Sequence, residues 1–282
     1  MDYRKKFLVS PGKKVDLGKI DPSAASGYAS HEEALPEIRK HVARMDELQY
    51  LLYADASRSL LVVLQALDAA GKDGTIRHLF SGMNPQGTSV FGFKQPSAAE
   101  AAHDFLWRAH QRVPGKGEIV IFNRSHYEDV LVTRVHNLVP KEVWSKRFDQ
   151  INDFERLLER NGTAILKFFL HISPEEQLAR FKQRLDDPSR QWKISNSDYA
   201  ERKFWPQYVE AYEEALERTS TANAPWFVIP ANDKWFRDLA ISQIIAGTLE
   251  DMKLKTPPVR VDLESIAKEY HAAAQAPGKP GA

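Results

Sequence analysis

From Leu61 to Leu67 the chain is an almost unbroken apolar run. Such a run suits a strand buried on both faces, as in a parallel sheet. Four further short runs have strand character: Thr88 to Phe93, Ile119 to Phe122, Ala164 to Ile172 and Trp226 to Ile229. Between them the apolar positions change period. In His31 to Ala56, the residues Leu35, Ile38, Val42, Met45, Leu48, Leu51 and Leu52 recur at steps of three and four, which predicts a long helix. Pro36 lies near its start, where a helix tolerates proline. Pro140 to Arg160 carries a second stripe: Val143, Trp144, Phe148, Ile151, Phe154, Leu157 and Leu158. Ser97 with Glu100 forms a capping box opening a helix to about Arg112. Ser173-Pro174-Glu175-Glu176 opens another, to about Leu185. Asp186-Asp187-Pro188 interrupts it, helix resumes from Ser197 to about Glu217, and Asp233 to Lys253 closes the series.

Strands alternating with helices predict a three-layer α/β/α fold with a central, mainly parallel five-stranded sheet. Residues 1–30 carry scattered Gly, Pro, Ser and Lys, and read as an irregular N-terminal arm. Residues 31–255 read as one domain. Residues 256–282, opening on Thr256-Pro257-Pro258 and then rich in Ala, Gly and Pro, read as a mobile tail. No internal repeat is visible.

The first apolar run leads into Asp68-Ala69-Ala70-Gly71-Lys72-Asp73-Gly74-Thr75, followed by a helical pattern in Ile76, Leu79 and Phe80. Strand, glycine-bearing loop with a lysine, then helix is the layout of a phosphate cradle. Loop N–H groups and the positive helix end face an anion, and Lys72 adds a full charge. The match to G-x-x-x-x-G-K-[ST] is imperfect. Ala66 replaces the first glycine, and Asp73 stands where a magnesium-binding hydroxyl is usual, with Thr75 two places later. Two acids beside phosphates repel them unless a cation intervenes. The loop therefore calls for Mg²⁺, with Asp68 the favoured ligand. The competing reading is an ordinary strand–turn–helix with a solvated lysine.

Composition sets limits on partners. Lys and Arg number 39 against 38 Asp and Glu among 282 residues, so a polyanion site must come from local clustering. Cysteine is absent, which removes disulfide and thiolate chemistry. No apolar run approaches the ~20 residues needed to span a bilayer. The cysteine count and the lack of a spanning run lead to the expectation of a cytoplasmic protein with no membrane partner; global charge argues neither for nor against a polyanion, and no nucleic-acid partner is expected.

Ligands of parallel sheets bind beyond the carboxyl ends of the strands, which puts the turns after Leu67 and Phe122 on one edge. After Phe122 stands Asn123-Arg124-Ser125-His126-Tyr127-Glu128-Asp129, of which Asn123, Arg124, Ser125, His126, Tyr127 and Glu128 are expected at the nucleotide, in the place of a Walker B segment. Arg124 can grip a phosphate with two donors. Phosphate-loop enzymes often end this strand with a metal-binding aspartate; here Asn123 offers a neutral oxygen. His126 is a candidate phosphate donor or a structural histidine. A third cluster holds Arg180, Lys182, Arg184, Arg190, Lys193, Arg202 and Lys203. It reads either as a lid closing on phosphates or as a solvated helical hairpin. Trp192, Phe204, Trp205, Tyr208 and Tyr212 flank it; aromatic residues at helical spacing are expected to be core.

Together L-D-A-A-G-K-D-G-T, F-N-R-S-H-Y-E-D-V and R-L-D-D-P-S-R-Q-W-K resemble the polyphosphate kinase 2 family, over about Leu35 to Leu254. Within it, N-R-S-H-Y-E-D-V resembles the class III type. The resemblance implies a P-loop kinase fold with a helical lid at about residues 180–203. It implies Mg²⁺-dependent, reversible transfer between inorganic polyphosphate and nucleotides, AMP to ADP and ADP to ATP. Mn²⁺ is a second candidate ion, and a dimer or tetramer is the implied assembly. Carried over, Lys72 with the backbone of Gly71 and Gly74 binds phosphate. Asp68 binds magnesium or positions the acceptor. Arg124 grips phosphate, and Arg184, Arg190 and Lys193 are lid cations. With Asn123 in place of an aspartate, Glu128 is the candidate replacement carboxylate. A polyphosphate track is expected along Lys72, Arg77, Lys94, Arg124 and Arg134. The alternatives are an ATP-dependent nucleoside monophosphate kinase, which usually keeps the hydroxyl that Asp73 replaces, or a binding module without turnover.

Overall fold

Five parallel strands form the centre of the computed structural model, which describes residues 1–275. They are β1 (Ser59–Gln65), β2 (Thr88–Gly92), β3 (Ile119–Asn123), β4 (Thr163–His171) and β5 (Trp226–Pro230), in spatial order β2-β3-β1-β4-β5. β1 is the central strand, and every one of its residues is buried. That follows from its composition: Leu60, Leu61, Val62, Val63 and Leu64 supply apolar side chains to both faces. Leu60, Val62 and Leu64 face one core, and Leu61 and Val63 face the other. The strand ends two residues earlier than the apolar run, so Ala66 and Leu67 already belong to the loop.

The helices are α1 (Tyr3–Phe7), α2 (His31–Asp55), α3 (Lys72–Phe80), α4 (Ala98–Ala101), α5 (Trp107–His110), α6 (Val132–Val135), α7 (Lys141–Arg160), α8 (Pro174–Asp186), α9 (Asn196–Glu201), α10 (Trp205–Thr219), α11 (Lys234–Asp251) and α12 (Leu263–Gln275). α2, α3 and α11 cover one face of the sheet, and α7 and α10 the other. The expected three-layer architecture is present.

Two expected helices divide. Ser97 and Glu100 do form the capping box, yet the helix stops at Ala101. The Asp104 carboxylate then accepts from the Leu106 N–H at 2.9 Å and starts the separate α5. A short acidic side chain satisfying nearby backbone competes with helix continuation. The other division falls between α9 and α10, where Arg202–Phe204 is a 3₁₀ turn. Pro206 explains it, lacking an N–H and clashing with the carbonyl four residues back.

The first 30 residues are more ordered than an irregular arm. Tyr3 and Phe7 of α1 are buried against Phe236. Leu8 bridges antiparallel to Phe227, and the Val9 N–H donates to Trp226 O at 2.9 Å. The arm thereby covers the exposed edge of β5, an edge otherwise open to pairing with another chain. At the other end, α12 occupies part of the expected tail, with every residue exposed. Residues 276–282 of that tail lie outside the described residues.

Candidate active site

Parallel pairing sets Leu64 of β1 beside Asn123 of β3, so the segments after both strands emerge side by side. The first is the phosphate loop. Ala69 (φ +62°) and Gly71 (φ +107°) take left-handed conformations that turn the chain sharply before α3 begins at Lys72. Gly71 is required on two counts. Its φ favours glycine, and a Cβ there would lie 2.2 Å from Arg237 Nη1. Lys72 curls back so that Nζ donates to Ala66 O at 2.9 Å. Burial, reinforced by the neighbouring Arg124 cation, lowers its pKa to about 8, against the pull of Asp68, Glu128 and Asp73.

The second segment opens with Arg124, also left-handed at φ +59°. Its N–H donates to Leu64 O at 3.0 Å, which ties the turn to the end of β1. Its guanidinium lies between two carboxylates. Nη2 donates to Asp68 Oδ1 at 2.7 Å, and Nη1 to Glu128 Oε2 at 3.4 Å. Burial opposes the Arg124 charge, but Glu128 and Asp68 outweigh it and raise its pKa further. Burial raises the pKa of Glu128, and the Arg124 and Lys72 cations only partly counter this. Asn123 Nδ2 donates to Asp73 Oδ1 at 2.8 Å. An asparagine can make that bond, whereas an aspartate would face Asp73 as a like charge. Asp68, Lys72, Asp73, Asn123, Arg124 and Glu128 are thus brought together as the sequence suggested.

Other expected residues are not. Ser125, His126 and Tyr127 are buried beneath the turn, away from solvent. Ser125 Oγ accepts from the Tyr127 N–H and from Gln65 Nε2, both at 3.1 Å, and so holds the turn's shape. His126 packs against Tyr127 and Phe154 with its Nε2 3.5 Å from Glu155 Oε1, so the phosphate-donor reading gives way to the structural one. Tyr127 OH donates to Glu155 Oε1 at 2.8 Å. Arg134 leaves the expected polyphosphate track. It is paired with Glu214 and Glu210, both at 2.6 Å, and its guanidinium lies over the Trp144 ring. Arg77 and Lys94 are exposed, as a track requires. Thr75 is fully buried, with no hydrogen-bond partner for its hydroxyl among the described residues.

The basic segment divides in the same way. Arg184 Nη1 donates to Lys193 O at 3.3 Å, Arg190 pairs with Asp187 at 2.9 Å, and Lys193 lies over Trp192. These three cations make their contacts within the segment. Arg180 does not belong with them: it is buried and reaches under the phosphate loop. Its Nη1 donates to Ala69 O (2.9 Å) and Ala70 O (2.8 Å), and its Nη2 to Ala231 O (2.6 Å) and Asn232 O (2.9 Å). Gln177, one turn earlier on α8, donates to Asp68 O at 2.9 Å and accepts from Arg202 Nη1 at 2.8 Å. Arg237, almost fully buried and paired with Asp238, lies behind Gly71. Gln177 and Arg237 carried no signal in the sequence, because nothing local marks a residue that serves a loop more than a hundred positions away.

Among the flanking aromatic residues, Tyr212 is core, and Trp205 and Tyr208 are partly buried. All three also line a pocket with Asp68, Arg124 and Glu128, so they border the charged site. Trp192 is the exception to the core expectation, being largely exposed.

Three or more metal-ligating side chains do not gather anywhere among the described residues. A divalent ion held by only one or two carboxylates, with substrate phosphates and water completing the shell, would need no such cluster. Asp68 and Glu128 have the right chemistry, flanking the same guanidinium.

A lysine-bearing loop at the end of the central strand, and an arginine at the end of its neighbour, define a phosphate-loop α/β protein built to hold phosphates. The polyphosphate kinase 2 (PPK2) family matches residues 28–257, and the chain belongs to that family. It is 50% identical over 266 residues to the AMP/ADP-polyphosphate phosphotransferase of Meiothermus ruber, covering 94% of this chain and 100% of that one. It is 47% identical over 265 residues to the ADP-polyphosphate phosphotransferase of Rhodopseudomonas palustris, covering 90% and 92%. The crystal structure of polyphosphate kinase 2 from Arthrobacter aurescens TC1 superposes with a TM-score of 0.91 at 39% identity, covering 98% of each chain.

Proposed function

We propose that this chain transfers phosphoryl groups reversibly between inorganic polyphosphate and nucleoside mono- and diphosphates, taking AMP to ADP and ADP to ATP. One observation carries the reading: Lys72 and Arg124 lie with Asp68 and Glu128 where two strand ends meet. Family membership and the relatives' activities support the donor. Relatives of nearly equal identity differ in the acceptor they are named for, so acceptance of both AMP and ADP rests on the class III pattern N-R-S-H-Y-E-D-V.

The acceptor is a terminal phosphate, largely ionised at neutral pH because its second pKa is ~6. No strong general base is needed. The acceptor oxygen bonds to the terminal phosphorus of polyphosphate as that phosphorus parts from its bridging oxygen. The bridging oxygen's electron pair stays with a polyphosphate shortened by one phosphate. The obstacle is bringing two polyanions together. Lys72 and Arg124 lower that repulsion and stabilise a loose transition state; Arg184, Arg190 and Lys193 add charge from the lid. Mg²⁺, or Mn²⁺ in its place, held by Asp68 and Glu128 would supply further charge neutralisation. Arg77 and Lys94 extend the track for a long donor.

Residues 31–255 form the catalytic domain, with the lid at about 180–203. We also assign a cytoplasmic location and a homo-oligomeric state, a dimer or tetramer. No described helix is long and apolar enough to cross a membrane.

The test supplies long-chain polyphosphate and Mg²⁺ with AMP or ADP as sole nucleotide, and resolves the nucleotides over time. AMP giving ADP and then ATP supports the full reading. Reaction of ADP alone removes the monophosphate acceptor. No reaction, with AMP phosphorylated once ATP is supplied, makes the protein an ATP-dependent monophosphate kinase. Polyphosphate binding without any turnover makes it a binding module.

A further inference from the structure

In an α-helix each N–H donates to the carbonyl four residues earlier. The first turn of α3 holds Lys72, Asp73 and Gly74, whose partners by that rule are the carbonyls of Asp68, Ala69 and Ala70. All three carbonyls are already engaged from behind. Gln177 Nε2 donates to Asp68 O at 2.9 Å, and Arg180 Nη1 to Ala69 O at 2.9 Å and Ala70 O at 2.8 Å. Gln177 and Arg180 lie three apart on α8, so they share one face of it. Both are buried, at 3% and 5% exposure.

We propose that Gln177 and Arg180 are positioning residues that hold the loop carbonyls away from α3. The N–H groups of Lys72, Asp73 and Gly74 then stay free for phosphate. The left-handed Ala69 and Gly71 turn the chain so that its carbonyls face α8. Without the two donors, those carbonyls turn back to their i+4 backbone donors, and α3 grows by a turn at the expense of the cradle. Arg180 is itself braced. Its Nε donates to Glu176 Oε1 at 2.6 Å, and its Nη2 fastens to Ala231 O and Asn232 O beyond β5. The grip therefore joins three segments: the loop, α8, and the turn after β5. Gln177 adds a fourth, since its Oε1 accepts from Arg202 at the foot of α10. Arg202 Nη1 donates also to Pro174 O at 3.0 Å, which fixes the start of α8.

The device rests on the reading of this loop as a phosphate cradle, and its test separates the two. Amide hydrogen exchange of Lys72, Asp73 and Gly74 is measured in the full chain, with and without inorganic triphosphate. The variants are Gln177→Leu, Arg180→Lys and Arg180→Ala. In the natural sequence these amides exchange fast and become protected by triphosphate. In Gln177→Leu they become protected without triphosphate and lose the response to it, while the melting temperature stays near the parent's. Turnover falls about 10- to 100-fold. Arg180→Ala, where it folds, regains part of its activity with added guanidinium; Arg180→Lys, one planar fork short, regains less than the natural residue supplies. If triphosphate leaves the amides of the natural sequence unchanged, the loop is not the cradle. If it protects them, yet Gln177→Leu exchanges and responds like the parent, the positioning role is wrong.

Discussion

Arg124 and Asp68 face each other across the gap between β3 and β1, Nη2 donating to Oδ1 at 2.7 Å. The bond crosses the mouth of the phosphate loop and sets the one guanidinium of the turn beside the one carboxylate of the loop's first half. On the proposed function, a substrate phosphate would offer Arg124 a second acceptor and leave the Asp68 carboxylate for a cation. On that reading the pair joins two groups with separate tasks.

Removing either task separates them. Asp68→Asn keeps the size and loses the charge. Excess Mg²⁺ restores little activity if Asp68 also positions the acceptor, and full activity if it is a metal ligand only. A Mg²⁺ titration of initial rates reads the difference.

Lys72→Ala leaves a folded protein that loses most of its turnover. Circular dichroism beside the rate assay checks both halves, and near-normal rates would remove Lys72 from the mechanism. The lysine also sets a pH limb. Its folded pKa is about 8, below the ordinary lysine value of ~10.4. As pH rises through about 8, the ligand-free protein loses this cation, and kcat/KM for polyphosphate falls. Lys72→Arg keeps its charge and moves that limb upward. The stability sign is opposite. Between pH 8 and 10.4 the unfolded chain binds more protons than the folded one, so this lysine's contribution to stability rises with pH across that window.

Glu128→Gln weakens the dependence on Mg²⁺ more than Asn123→Ala does. The reason is geometric: Asn123 spends its amide on Asp73, whereas Glu128 brings a second carboxylate to the guanidinium that Asp68 also binds. Apparent Mg²⁺ affinities measured on both variants decide it, and the reverse order would sink Glu128 as the replacement carboxylate.

Arg134→Ala lowers stability without raising KM for polyphosphate, because its guanidinium is committed to Glu210, Glu214 and the Trp144 ring. Arg77→Ala and Lys94→Ala do the opposite. At limiting polyphosphate the parent's rate falls as salt is raised, in the manner of polyanion complexes. The three variants assayed across a salt series test the division.

Lys167 is fully buried on β4. Its ammonium donates to Glu155 Oε2 at 2.5 Å, Tyr127 OH at 2.9 Å and Thr219 O at 2.7 Å. Lys167→Met alone strands the Glu155 charge and costs about 3–5 kcal/mol. The double variant with Glu155→Leu recovers much of that. Urea unfolding of the two proteins makes the comparison.

The alternation of apolar runs with helical stripes determined the three-layer fold, because strand and helix periods are local properties of the chain. α2 could be read almost residue by residue, and β1 to within two residues at each end. So could the core of the site: Asp68, Lys72, Arg124 and Glu128 each stand in a short motif at the end of a strand, where parallel sheets gather their ligands. What the sequence left open are contacts between distant segments. Nothing in Arg134 or Arg180 tells a phosphate-binding arginine from one held by carboxylates or carbonyls, since both are cations on a helix. Their partners, at positions 210 and 214 for the one and 69, 70, 231 and 232 for the other, come near only when α10, β5 and α8 have packed. His126 likewise stands beside residues of the site in sequence but is turned into the core by the 3₁₀ turn that carries it. The chain thus wrote its elements and its candidate site residues locally. Which charges stay exposed, and which are consumed by carboxylates or carbonyls of other segments, depended on packing between segments far apart in sequence.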